Sequence, residues 1–121
     1  MFRRSGGDGP LRSRLWHEFG VHDTDLLVEK TAASAFFPGF SALPDLLRAR
    51  EIDTVLITGT VTNVCCESSA RDASTVGYRV IMVADANSAG RDDVHNATLH
   101  TIYRTFGDVR TTDEVIGLIR A

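Results

Sequence analysis

The sequence predicts an α/β fold, with a mostly parallel sheet covered by helices on both faces to give three layers. Three observations predict it. Apolar runs recur at Leu26 to Val28, Thr54 to Thr58 and Tyr78 to Ala84, the second of them rich in β-branched residues, without the polar alternation of a half-exposed strand. Between and after them lie segments whose apolar residues repeat at helical spacing. Glycines at 59, 77 and 90 mark the places where one periodicity gives way to the other.

Residues 1–20 are rich in Arg, Gly and Ser, with Leu11, Leu15, Trp16 and Phe19 among their few large apolar groups, and read as poorly structured or peripheral. Leu26-Leu27-Val28 is expected to be a buried strand whose C-terminal end carries Lys30. After a loop from Thr31 to Phe40, Ala42, Leu43, Leu46 and Leu47 recur at helical spacing, with Ser41 as the N-cap. Thr54 to Thr58 is a second buried strand, ended by Gly59. A helix from about Val64 to Val76 follows, stopped by Gly77. Tyr78 to Ala84 is a third strand, and Asp85 to Gly90 a loop. A helix over about Asp92 to Thr105 and a short strand at Asp108 to Arg110 precede a last helix, with Thr112 as N-cap and Val115, Ile116 and Ile119 as its buried stripe. At 121 residues, one domain with one core is expected.

Composition narrows the function classes. Hydrophobic residues at 43% and charged residues at 24% are ordinary for a globular domain. A net charge of -3 with scattered arginines leaves no basic footprint, so nucleic acid is not an expected partner. Apolar stretches such as Val80 to Ala84 fall far short of the roughly 20 residues that cross a bilayer, so no membrane partner is expected. Arg3 and Arg4 lead into Ser5-Gly6-Gly7-Asp8-Gly9-Pro10 and not into the apolar core of a signal peptide, and a cytoplasmic location is expected. Cys65 and Cys66 are adjacent; a bridge between them would be strained, and they read as reduced thiols.

In parallel sheets the loops at the carboxyl ends of the strands converge on the ligand site. Lys30, the turn from Gly59 to Cys65, and Asp85 all lie there. Cys65 falls near the first turn of a helix, where unpaired N–H groups and the helix dipole favour a thiolate and can hold an oxyanion on an attacked carbonyl. Lys30, ending an apolar run, calls for an anion nearby. On the residues alone, two plainer readings stay open: Cys65 as a small packing group, and Lys30 as a strand end leaving for solvent.

The segment Gly59-Thr-Val-Thr-Asn-Val-Cys65-Cys-Glu-Ser-Ser-Ala-Arg-Asp-Ala73 resembles the nucleophile segment of the isochorismatase-like cysteine hydrolases. That group includes nicotinamidases, N-carbamoylsarcosine amidohydrolases and ureidoacrylate amidohydrolases. Leu26-Leu-Val-Glu-Lys30-Thr-Ala-Ala-Ser-Ala-Phe-Phe-Pro-Gly-Phe40 is similar to its strand-Lys-loop segment, and Val83-Ala-Asp85-Ala with Phe106-Gly-Asp-Val-Arg-Thr-Thr112 to its later strand ends. The resemblance implies Cys65 as nucleophile, Lys30 as its catalytic neighbour, and Cys66 as a packing residue. It also implies a cis peptide between Thr60 and Val61, and an oxyanion hole from the N–H groups of Val61 and Cys65. The implied reaction splits a C–N bond of a small amide or ureido substrate through a thioester on Cys65, not a vinyl ether.

The family's general base is an aspartate ending a first strand, and nothing in residues 1–24 looks like that strand. The expectation is therefore a domain incomplete at its N-terminus, with an open sheet edge and an unfilled slot, whose activity depends on restoring that strand. Asp85 reads as a structural loop residue. The alternative function is an inactive fragment or pseudoenzyme acting through oligomer contacts; a nucleotide-binding domain ranks last, since no Gly-x-Gly-x-x-Gly or phosphate loop is present. Assembly into a homo-oligomer is expected on either reading. No cofactor is expected. No metal is expected either, because His95 and His100, five apart, do not share a helix face.

Overall fold

The computed structural model describes residues 7–121, so the first six residues of the segment expected to be peripheral lie outside the described residues. From residue 7 to 20 the chain makes one short helical turn, Leu11–Arg14, and leaves Leu15, Trp16 and Phe19 exposed. It is tied down by polar contacts. Arg12 Nη1 donates to the Val21 carbonyl at 2.9 Å, and Arg14 pairs with Glu29 at 3.1 Å.

The regular elements follow in order: α1 (Leu43–Arg48), β1 (Thr54–Thr60), α2 (Glu67–Thr75), β2 (Arg79–Ser88), α3 (Asp92–Thr105), β3 (Asp108–Arg110) and α4 (Thr112–Arg120). The three strands form one parallel sheet in the order β1-β2-β3, which leaves β1 at an edge. Each crossover is a helix, as parallel pairing requires. Val55 and Ile57 of β1, with Val80 and Met82 of β2, point to one side and pack with Cys66, Ala70 and Ala73 and with Ile102 of α3. Met82 and Ile102 are fully buried, and each contributes about 1.5–3 kcal/mol by leaving water. Small residues at 70 and 73 let α2 lie close on the sheet. No helix among the described residues is long and apolar enough to cross a membrane.

The pairing of β1 with β2 breaks register above Ile57. Ile57 faces Met82, yet Gly59 faces Asn87, so β2 spends five residues where β1 spends two. The buried Asn87 side chain spans the bulge, donating to the carbonyls of Ile57 at 2.8 Å and Val83 at 2.7 Å. The segment expected to be a loop from Asp85 is therefore strand as far as Ser88.

Several expectations are corrected. Leu26 to Val28 is not a strand: it has no ladder partner among the described residues, Leu26 is 42% exposed, and Lys30 makes an isolated antiparallel bridge with Ser41. Three apolar residues without a neighbouring strand cannot satisfy an extended backbone by pairing. The N-cap of α1 is Ala42, although the Ser41 hydroxyl does accept from the Leu43 N–H at 3.1 Å. Thr111, not Thr112, caps α4, through a reciprocal box with Glu114. Thr112 instead donates its N–H and hydroxyl to Asp85 at 2.8 and 2.9 Å. Of the expected stripe on α4 only Val115 is buried, while Ile116 and Ile119 are 38% and 72% exposed. Both faces of the sheet were expected to be continuously covered, yet β1 alternates, with Leu56 at 42% exposure between the buried Val55 and Ile57.

Candidate active site

Between β1 and α2 the chain turns within a few residues. Gly59 has φ +116, where a side chain would be strained, and the Thr60–Val61 peptide is cis. A wide turn, Thr62–Cys66, then precedes α2: the Val61 carbonyl accepts from the N–H groups of Val64 at 3.0 Å and Cys66 at 3.3 Å, and the Thr62 carbonyl from that of Glu67. Wide turns of this kind are frequent at functional sites. Cys65 and Cys66 are both free thiols. Neighbours on a helical turn point about 100° apart. Cys66 accordingly faces the core at 4% exposure, while Cys65 is half-buried and lines a cleft.

Lys30 reaches the same cleft from a loop. Its ammonium donates to the carbonyls of Ala32 and Ala33, each at 3.0 Å, so the loop wraps its own cation. Alternate residues Ala32, Ser34 and Phe36 are buried, and the Thr31 N–H closes the loop on the Phe40 carbonyl at 3.0 Å. Phe36 meets Tyr78 edge to face at 5.4 Å, and Ser69 of α2 accepts from the Ala35 N–H at 3.0 Å. The second contact fixes the Lys30 loop against α2, the element that follows Cys65, and the first against the residue that leads into β2.

The cleft holds about 500 Å³ and runs along all seven residues of β1, with Lys30, Phe36, Leu43, Leu47, Cys65 and Ser69 among its other walls. Lys30 and Cys65, 35 positions apart in sequence, thus face one space. No Asp or Glu is among the described residues that line it. Asp85 lies elsewhere, holding the start of α4. Burial pushes the Cys66 thiol up, the nearby Cys65 adds to this, and the Lys30 charge pulls the other way. Val61 is 40% exposed and is not among the residues that line the cleft. Phe37 and Tyr103 lie outside the lining as well, at 50% and 63% exposure.

Sequence reading missed two polar links to this turn. Thr62 is fully buried, and its hydroxyl lies 2.9 Å from His95 Nδ1 on α3. The Thr98 hydroxyl donates to Glu67 Oε2 at 2.8 Å, and the other Glu67 oxygen binds Arg71, whose guanidinium lies 4.5 Å above the Phe106 ring. Partners more than 30 residues apart leave no local periodicity to find them by. Only the spacing of His95 and Thr98, three apart and so on one helix face, hints that they act together.

The profile of the isochorismatase domain matches residues 2–114. The isochorismatase family protein YwoC of Bacillus subtilis is 40% identical over 119 residues, which cover 95% of this chain and 61% of that one. The ureidoacrylate amidohydrolase RutB of Agrobacterium fabrum is 40% identical over 126 residues, covering 98% of this chain and 54% of its own length. Among solved structures, a cysteine hydrolase from Pseudomonas syringae pv. phaseolicola superposes with a TM-score of 0.77 at 40% identity, over 83% of this chain and 51% of that one. The chain thus spans between half and two-thirds of the length of these relatives.

Proposed function

The chain belongs to the isochorismatase family, and on that premise we propose that it carries the nucleophile wall of a cysteine hydrolase cleaving the C–N bond of a small amide or ureido compound. One observation carries this reading: a single cleft takes in Cys65, Lys30 and the Gly59–Thr60 end of β1. A ureido substrate is supported by the 40% identity to a ureidoacrylate amidohydrolase.

The chemistry runs in two stages. The Cys65 thiol gives up its proton and the sulfur attacks the carbonyl carbon, whose oxygen takes the charge and is held by the N–H groups of Val61 and Cys65. As the C–N bond breaks, the nitrogen leaves with the proton and a thioester remains on Sγ. Water then adds to the thioester, releasing an acid and restoring the thiol. Lys30 keeps thiolate and base in register. The thiol proton needs an acceptor, and since no Asp or Glu lines the described cleft, a carboxylate brought beside Lys30 would serve.

A second reading is favoured by that same lack and by the open edge of β1: a noncatalytic chain that acts through contacts with like copies. Ammonia release from a panel of small amides and ureido acids, with intact-mass detection of an acyl adduct, separates the two. The hydrolase reading expects turnover and an adduct, both lost in Cys65→Ser. Turnover that survives Cys65→Ser, or an adduct on Cys66, overturns it; no turnover and no adduct favours the second reading.

A further inference from the structure

The segment from Thr62 to Glu67 is held from outside at both ends, and both holds come from one face of α3. At one end the Thr62 hydroxyl, in a fully buried side chain, meets His95 Nδ1 at 2.9 Å. At the other, Glu67 Oε2 accepts from the Thr98 hydroxyl at 2.8 Å. Cys65 lies between them. A buried hydroxyl without a partner costs free energy, so the Thr62 side chain is fixed wherever His95 stands. The Thr62 carbonyl is fixed too, by the Glu67 N–H, so this residue has neither side chain nor carbonyl free to swing. His95 itself is half-buried in the first turn of α3, and neither it nor Thr62 is among the residues lining the cleft.

We infer that His95 is a positioning residue: through Thr62 it holds the turn that aims the Cys65 sulfur into the cleft. The inference rests on the reading of Cys65 as the nucleophile. His95 touches no reacting atom; it acts only through the Thr62 hydroxyl. Either the hydroxyl donates to a bare Nδ1 or an Nδ1–H donates to the hydroxyl oxygen, and both arrangements fix the turn. The geometry sets the pattern of substitutions that preserve it. Asparagine places a polar atom where Nδ1 stands and should keep the link, leucine should break it, Thr62→Val removes the hydroxyl at constant shape, and Thr62→Ser keeps it.

The test is the second-order rate of Cys65 alkylation by iodoacetamide, read site by site through peptide mass spectrometry, with thermal unfolding measured on each variant. His95→Leu and Thr62→Val are expected to slow Cys65 about fivefold to tenfold, the worth of one buried hydrogen bond. The double variant should be no slower than either single one, and His95→Asn and Thr62→Ser should stay near the parent rate. A rate unchanged or raised in Thr62→Val, or slowing in the double variant that multiplies the two single effects, overturns the inference. A merely structural role for His95 would lower the unfolding temperature without this rescue pattern in the rate, and that outcome also counts against it. If Cys65 of the parent reacts no faster than the same thiol in the unfolded chain, the nucleophile reading falls and takes this one with it. If Cys65 is fast and His95→Leu leaves it so, only the positioning role falls.

Discussion

Gly107 joins α3 to β3, and a methyl group placed on it would sit 2.4 Å from the Val80 carbonyl oxygen and 2.9 and 3.0 Å from the Val80 Cβ and carbonyl carbon. Ordinary carbon contacts lie near 3.5–4.0 Å, so Gly107→Ala overlaps by about 1 Å. The obstacle is mostly backbone, and that backbone is not free: Val80 pairs with Val55 on one side, and Ile81 with Asp108 on the other. Nor can Gly107 retreat easily, since its N–H is tied to the Ile102 carbonyl at 3.0 Å and Ile102 is fully buried. Relief must come from shifting β3 and the end of α3 away from β2, at the upper end of the about 1–3 kcal/mol that overpacking costs. Gly117 supplies the control. It lies in exposed helix α4, where a methyl group would meet nothing within 4 Å, so Gly117→Ala should stabilise by about 0.5–1 kcal/mol. The same chemical change thus has opposite signs at the two positions, a gap of roughly 3–4 kcal/mol between the variants. Urea unfolding at constant slope measures it directly. If both variants shift in the same direction, or if Gly107→Ala lies within about 0.5 kcal/mol of the parent, the close approach of Gly107 to β2 is not a constraint and the reasoning fails.

Two further predictions concern the start of α4 and the Lys30 loop. Hydrogen bonds from the Thr112 hydroxyl and N–H hold the Asp85 carboxyl below its ordinary range, and the Thr111 N–H and hydroxyl do the same for Glu114. A carboxylate depressed in the folded state stabilises at pH values above its ordinary range and ceases to as pH falls through the depressed one, so α4 should open first in acid. Amide exchange at the start of α4 should rise there before that of β2, and Asp85→Asn should flatten the acid dependence; simultaneous loss across all elements would count against it. Lys30→Met removes the ammonium that bonds Ala32 and Ala33, leaving two carbonyls short of a donor and the cleft without its cation. Cys65 alkylation should slow about fivefold to tenfold as the attacking sulfur loses a cation from its cleft, and an unchanged rate would remove Lys30 from the site.

Much of the architecture is written locally. Three apolar runs predict strands, and two of them, at 54–58 and 78–84, fall on β1 and β2, because β-branched residues bounded by glycine leave few other conformations. The periodic stretch at 92–105 coincides with α3. The third run, Leu26 to Val28, shows where local reading stops: whether a short apolar stretch becomes a strand is decided by a neighbour to pair with. The cap of α4 shifted by one residue for a similar reason, since Asp85 claims Thr112 from another element.

The candidate site divides the same way. The composition and order of the segment from Gly59 to Ala73 determined that a thiol stands at the mouth of a helix, and the resemblance carried by that segment and the Lys30 segment pointed to the family. Only the tertiary structure decided that Lys30 and Cys65 face one cleft, that Cys66 turns away into the core, and that Asn87 spans the bulge where β1 and β2 fall out of register. It alone joined Thr62 to His95. Propensity and periodicity act over a few residues, whereas these juxtapositions depend on the path by which the chain returns to a place it has already passed.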